Sequence, residues 1–308
     1  MPDITITPYV LLNVFLISLI AGLGTGLGGL ISIIRVPGRR MFGFLMGITA
    51  GVMITLSFLE LVNEAWELAG FWTATIGFGA GAFFMFFLDF FAPHMRFGET
   101  EVRAAEVPLI LPPTGGPSPL EQPACCPRAG CPQPHPGRHP AGHGHRFGHA
   151  RWRGNHITDP RLLRTGLLLA IGITIHNIPE GVAVGAGYMH APEFGLFIGT
   201  AILLHNIPEG MATALPLCKS GVCKWDSFRA ALFSGLTEPI GAVLAALFLS
   251  TNSSFIPFAL AFAGGVMMFI TLDELIPTAR EHGHQHTTAL GIIIGALFVF
   301  LLSGIFGV

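Results

Sequence analysis

Eight stretches of this chain are apolar for about the 20 residues that a helix needs to cross a bilayer. They lie near 8–34, 41–62, 71–93, 163–188, 194–217, 228–250, 256–279 and 287–308. In hydrocarbon every backbone N–H and C=O must be paired within the segment, so such runs fold as helices. The expected fold class is all-α, a polytopic membrane protein with eight transmembrane helices. Composition agrees, with 51% of the 308 residues hydrophobic and only 11% charged, against about a quarter charged in soluble domains. The first apolar run has no basic segment ahead of it and no convincing cleavage site, and is read as a retained span. The five cysteines form no extracellular disulfide framework, and a formal net charge of −2 says nothing about partners.

The positions of Lys and Arg test the span count. With both termini outside, the inner connections are 35–40, 94–162, 218–227 and 280–286 with their helix ends, and they hold all sixteen Lys and Arg. The outer connections carry Glu64, Glu67 and Glu193 and no basic residue. Positive charge marks the cytoplasmic side, so the split supports eight spans in the cell membrane with both termini extracytoplasmic. A miscounted span would scatter the arginines over both faces. The whole chain, 1–308, reads as one domain, within which 94–162 is a disordered cytoplasmic loop rich in His, Pro and Gly.

Two of the spans carry the same hexapeptide, His-Asn-Ile-Pro-Glu-Gly, at 176–181 and 205–210. Ionisable side chains at bilayer depth cost a few kcal/mol and mark function by default. His176 and Glu180 are four residues apart and share a helix face, as do His205 and Glu209. Pro179 and Pro208 are expected to kink their helices, which membranes tolerate only where protein covers the break or it lines a cavity. The two spans are antiparallel neighbours. His176 is therefore expected level with Glu209, and Glu180 level with His205. Glu238, in the middle of the sixth span, adds a third carboxylate. Imidazole with carboxylate suits Zn, Fe, Mn and similar ions, and nothing here demands copper. The alternative for such groups is polar helix packing, which the duplication at matched depth argues against.

At these residues the chain resembles the ZIP (Zrt-, Irt-like) family of divalent-metal transporters, near its bacterial GufA-like zinc-uptake branch. The resemblance is carried by both His-Asn-Ile-Pro-Glu-Gly blocks and by Gly235-Leu-Thr-Glu-Pro and Asp273-Glu-Leu-Ile-Pro. Ala50-Gly-Val-Met with Ser57, and the His-rich loop, also match. It implies a two-metal site at the membrane midplane. One metal would take His176, Glu180, His205 and Glu209, with Met53 near. The other would take Asn177, Asn206 and Glu238 and share Glu180 and Glu209 as bridges. It also implies a 3+2+3 arrangement of helices with an inverted repeat, a homodimer, and an elevator-like sliding of spans 1, 4, 5 and 6 against 2, 3, 7 and 8. The cargo is a divalent cation, zinc first, with Cd, Fe, Mn and Co as alternatives. No prosthetic group and no nucleic-acid partner is expected beside the lipid bilayer and the metal. Some family members have a carboxylate where Asn206 stands, so the second position here carries less negative charge.

Rival functions are an intramembrane metal-dependent hydrolase and a metal-selective channel or sensor. A metalloprotease of the usual kind needs His-Glu-x-x-His, which is absent. Three further features are left as candidates. Glu60 could attract an entering cation, and Asp273 with Glu274 could form an exit site or pair with Arg280. The histidines of the loop and of 282–286, with Cys125, Cys126 and Cys131, could bind metal loosely on the inner side. The glycines of span 1, from Gly22 to Gly29, are read as close-packing residues.

Overall fold

The computed structural model describes residues 7–91 and 160–308, and every regular element among them is helical. The loop histidines and cysteines lie outside these residues. Ten α-helices follow in order: α1 Pro8–Ile34, α2 Arg39–Thr55, α3 Asn63–Phe91, α4 Pro160–His190, α5 Pro192–Lys219, α6 Lys224–Gly235, α7 Glu238–Thr251, α8 Ile256–Ile270, α9 Ile276–His282 and α10 Gln285–Phe306. Residues 160–162, placed in the loop from sequence, form the first turn of α4.

Local chemistry sets the breaks. Thr7 caps α1, its hydroxyl accepting from the Val10 N–H at 3.3 Å, with Pro8 supplying a preset φ at the first position. α2 and α3 run on through a wider π turn, Leu56–Val62, and bend at Gly70, whose φ of 78° only glycine adopts cheaply. The same kind of turn, Thr271–Leu275, joins α8 to α9. Span 6 is broken: α6 stops at Gly235 and α7 restarts at Glu238, with Pro239 in its first turn. A proline fits that position because its missing N–H would be unpaired there anyway. α4 and α5, by contrast, remain helical through Pro179 and Pro208. They meet in a hairpin whose one non-helical residue is Ala191, with Pro192 opening α5.

Six helical stretches are long and apolar enough to cross a membrane, and the longest, 39–90, bends into two at Gly70. With large apolar side chains such as Phe83, Ile293 and Leu301 exposed on the outside, the chain is a multi-pass membrane protein. α5 is not among the six. Its polar motif lowers its hydropathy, and it is enclosed by protein instead, with His205, Asn206 and Glu209 all buried.

The helices form two groups. α1 packs along α5, α6 and α7, and α4 packs along α5 and α7; separately, α2 packs along α9 and α10, and α3 along α8. The groups meet chiefly where α4 lies on α8 and α2 on α5. Lipid supplies no hydrophobic drive between helices, so close van der Waals approach over small residues holds them. A methyl group added at Gly28 would lie 1.8 Å from the Ile207 carbonyl oxygen, and one at Gly210 1.8 Å from that of Thr25. At Gly51 it would meet the Ile292 carbonyl at 2.1 Å. All of these backbone approaches lie inside one group.

Candidate metal centre

The hairpin at Ala191 brings the two hexapeptides side by side near the middle of the first group. His205 Nε2 lies 3.2 Å from Glu180 Oε1, the juxtaposition that antiparallel packing predicts. Ligand atoms of Glu180, His205 and Glu209 all fall within 4.8 Å of one another, the one such cluster of metal-ligand type among the described residues. Glu180 and His205 are fully buried and Glu209 is 5% exposed.

The two asparagines are oriented by the main chain. Asn177 Nδ2 donates to the Ser234 carbonyl at 2.8 Å, and Asn206 Nδ2 donates to the Ala21 carbonyl at 2.9 Å. Spending the amide on a carbonyl leaves each Oδ1 as an acceptor only. Asn206 Nδ2 also reaches Glu238 Oε2 at 2.9 Å. The break in span 6 puts Glu238 in the first turn of α7, where the helix dipole favours a carboxylate. Thr237 secures the break by donating to the Thr174 carbonyl at 3.0 Å.

Buried polar atoms are almost always paired, yet both hexapeptides and Glu238 leave some unpaired. His176 Nε2, Asn177 Oδ1, Glu180 Oε2, Asn206 Oδ1, Glu209 Oε2 and Glu238 Oε1 are buried with no hydrogen-bond partner. Five oxygens and one imidazole nitrogen are the donor set a divalent borderline cation takes. Glu180, His205 and Glu209 are brought together, and Asn206 meets Glu238 beside them. Met53, expected nearby, is fully buried on α2 in the apolar core.

His176 turns away from the tight cluster. Its Nδ1 lies 3.7 Å from Glu274 Oε2 on the π turn after α8. Sequence reasoning weighed Glu274 as an exit ligand or a partner of Arg280, and the structure puts it against His176. No spacing rule joins residues so far apart in the chain. His176 and Glu274 line a small pocket of about 10 Å³, room for a single water, with Met46, Ile173, Glu209, Ala212, Ile270, Leu275 and Thr278. These residues lie on the side of the cluster facing the helix ends that carry Arg39, Arg164, Lys219 and Arg280, hereafter the basic end. At the opposite, acidic end a cavity of about 500 Å³ is lined by Glu60, Asn63, Glu64, Glu67, His190 and Ser303, among others. There His190 Nε2 meets Glu64 Oε1 at 2.9 Å, tying α4 to α3 across the two groups.

A multi-pass helical protein that buries a cluster of carboxylates and an imidazole marks itself as one that handles cations within the membrane. The family model described as ZIP zinc transporter matches residues 5–303, and the chain belongs to that family. It is 33% identical to a zinc transporter ZupT of Oceanobacillus iheyensis, over 92% of this chain and 94% of that protein. It is 33% identical to the ZupT of Akkermansia muciniphila, over 95% and 97% of the two chains. Zinc transporter ZTP29 of Arabidopsis thaliana is 33% identical over 91% of this chain and 89% of its own length. The family is one of transporters, not of metal-dependent hydrolases.

Proposed function

We propose that this protein carries divalent metal cations, zinc foremost, across a cell membrane into the cytoplasm by alternating access. The observation that carries the reading is the buried cluster of Glu180, His205 and Glu209 inside the first helix group, with unpartnered ligand atoms on both hexapeptides and Glu238. The names of the relatives supply zinc as the cargo. One cation takes His176, Glu180, His205 and Glu209, and a second takes Asn177, Asn206 and Glu238 with Glu180 and Glu209 as bridges. Met53 flanks them from α2. His176 must turn from Glu274 to join the first set.

Eight spans in a 3+2+3 order, both termini extracytoplasmic, complete the reading, and the basic end is then cytoplasmic. The contact of His176 with Glu274, on the side of the basic end, supports an exit path toward the cytoplasm. Movement of α1, α4, α5, α6 and α7 as a body against α2, α3, α8, α9 and α10 is supported by where glycine allows backbone contact, which is within each group. The second group also forms the homodimer. Bound carboxylates and imidazoles must be deprotonated to hold metal, so Glu180 and Glu209 take up protons as the cation leaves. The loop 94–162, in this reading, is a cytoplasmic appendage of a single transport domain.

Purified protein in proteoliposomes should take up radioactive zinc with saturation, and competition by Cd, Fe, Mn and Co with and without a pH gradient should rank the cargo. Near-ohmic current without saturation would sink the carrier reading in favour of a channel. A second expected result concerns site occupancy. Asn206→Asp adds a negative charge beside Glu238, so equilibrium zinc binding should tighten at the second position by roughly tenfold. Calorimetry that gives the same stoichiometry and affinity as wild type would remove Asn206 from the ligand set.

A further inference from the structure

Contacts in one half of the molecule recur in the other with a fixed offset. The Gly210–Thr25 and Gly28–Ile207 approaches are matched by Gly181–Glu238 and Gly241–Ile178. Residues 25 and 28 map onto 238 and 241, 213 positions on, while 210 and 207 map onto 181 and 178, 29 positions back. Asn206 donating to Ala21 is matched in the same way by Asn177 donating to Ser234. In the second group Gly51 meets the Ile292 carbonyl and Gly265 that of Phe78, each at 2.1 Å, and both residues shift by 214. The π turns obey the same rule, and so does the sequence they carry: Gly51-Val-Met with Glu60-Leu recurs as Gly265-Val-Met with Glu274-Leu. This repeat exchanges α4 with α5, His176 with His205, and Glu274 with Glu60. Because α2 and α8 run in opposite directions, it also exchanges the two ends of the molecule.

One class of contact does not obey the repeat. His176 Nδ1 lies 3.7 Å from Glu274 Oε2, whereas the image pair is apart: His205 Nε2 meets Glu180 and Glu60 lines the acidic-end cavity. Leu56, Leu61, Ile202 and Leu260, all 0% exposed, are packed on that side. A structure whose scaffold is two-fold but whose histidine–carboxylate contact is made at one end only is half of a pair of states related by that exchange.

We infer that Glu60 is the carboxylate that meets the cation at the acidic end, touching His205 in the other state as Glu274 touches His176 in this one. This rests on the transport reading. When the first group shifts, the seal of Leu56, Leu61, Ile202 and Leu260 parts, the cavity at Glu60 joins the site, and Glu60 becomes a specificity-determining ligand on the way in. Glu67 lines the same cavity, but as the partner of Asn63 at 3.3 Å, and its image in the repeat does not line the Glu274 pocket. It should not share the role.

Two measurements test this on the full chain. In proteoliposomes Glu60→Gln should raise the KM for zinc by roughly tenfold with the maximal rate within about twofold, the pattern of lost entry binding. Glu60→Asp should recover most of the loss and Glu67→Gln should shift KM by less than about twofold. An unchanged KM in Glu60→Gln, or an equal rise in Glu67→Gln, overturns the proposal. Independently of transport, Glu60→Cys with Ala183→Cys in a cysteine-free background should be bridged by mercury(II), since Ala212, the image of Ala183, lines the Glu274 pocket. The readout is two halves held together after cleavage at a protease site placed between the cysteines. Failure to bridge overturns the proposal even if zinc uptake is normal. Bridging upholds it even if the wild type moves no zinc, an outcome that would sink the transport reading alone.

Discussion

Glu209→Gln should lower zinc uptake by at least about a hundredfold while leaving the folded protein as stable as before, or more so. Losing an outer-shell partner already costs about 10–100-fold in metal affinity, and Glu209 is a bridging ligand in the proposed site. The stability arm has the opposite sign because Glu209 Oε2 has no hydrogen-bond partner and its carboxylate is crowded by Glu180. An amide of the same shape is cheaper to bury than an unpaired charge. Thermal unfolding in detergent without metal, read beside uptake in vesicles, separates the two roles. A structural carboxylate would lose stability and activity together. If Glu209→Gln moved zinc as wild type does, the bridging assignment would be wrong. Zinc should also raise the unfolding temperature of the wild type and not of the variant, since a ligand stabilises only the state that binds it.

Gly210→Ala should be the most damaging change that adds a single methyl group. The obstacle, the Thr25 carbonyl oxygen at 1.8 Å, is main chain and cannot rotate aside. Overpacking of this kind costs about 1–3 kcal/mol where side chains can yield, and α1 and α5 must separate here because none can. The unfolding temperature should fall by on the order of 5 °C. Uptake should fall as well, because Glu209 is the adjacent residue and moves with the helix. Gly304→Ala is the control: nothing lies within 4 Å of the added methyl, and no change is expected. Equal stability of Gly210→Ala and wild type would mean that α1 and α5 are not held by this contact.

Much of the site could be read from local rules. The 3.6-residue period puts His and Glu of each hexapeptide on one face, and the short connection at Ala191 forces their helices antiparallel, so Glu180 against His205 follows without tertiary knowledge. Glu238 follows from its depth and its proline. Pro179 and Pro208 lie inside helices that continue past them, as membranes tolerate where protein covers the backbone. The polar hydropathy of α5 was not a guide to its place, since a helix wrapped in protein need not be apolar all round.

The sequence by itself determined the helical class, the hairpin of α4 and α5, and which residues can ligate a cation, because all three depend on contacts a few residues apart or on composition. Only the tertiary structure decided that Asn206 holds Glu238 and that His176 faces Glu274 rather than the cluster. Those facts join segments remote in the chain, where no periodicity carries information. The last has a further cause. The repeat gives the two ends nearly the same residues, Glu60 for Glu274 and His205 for His176, so the sequence supports this contact at either end. Packing of one helix group against the other selects between them.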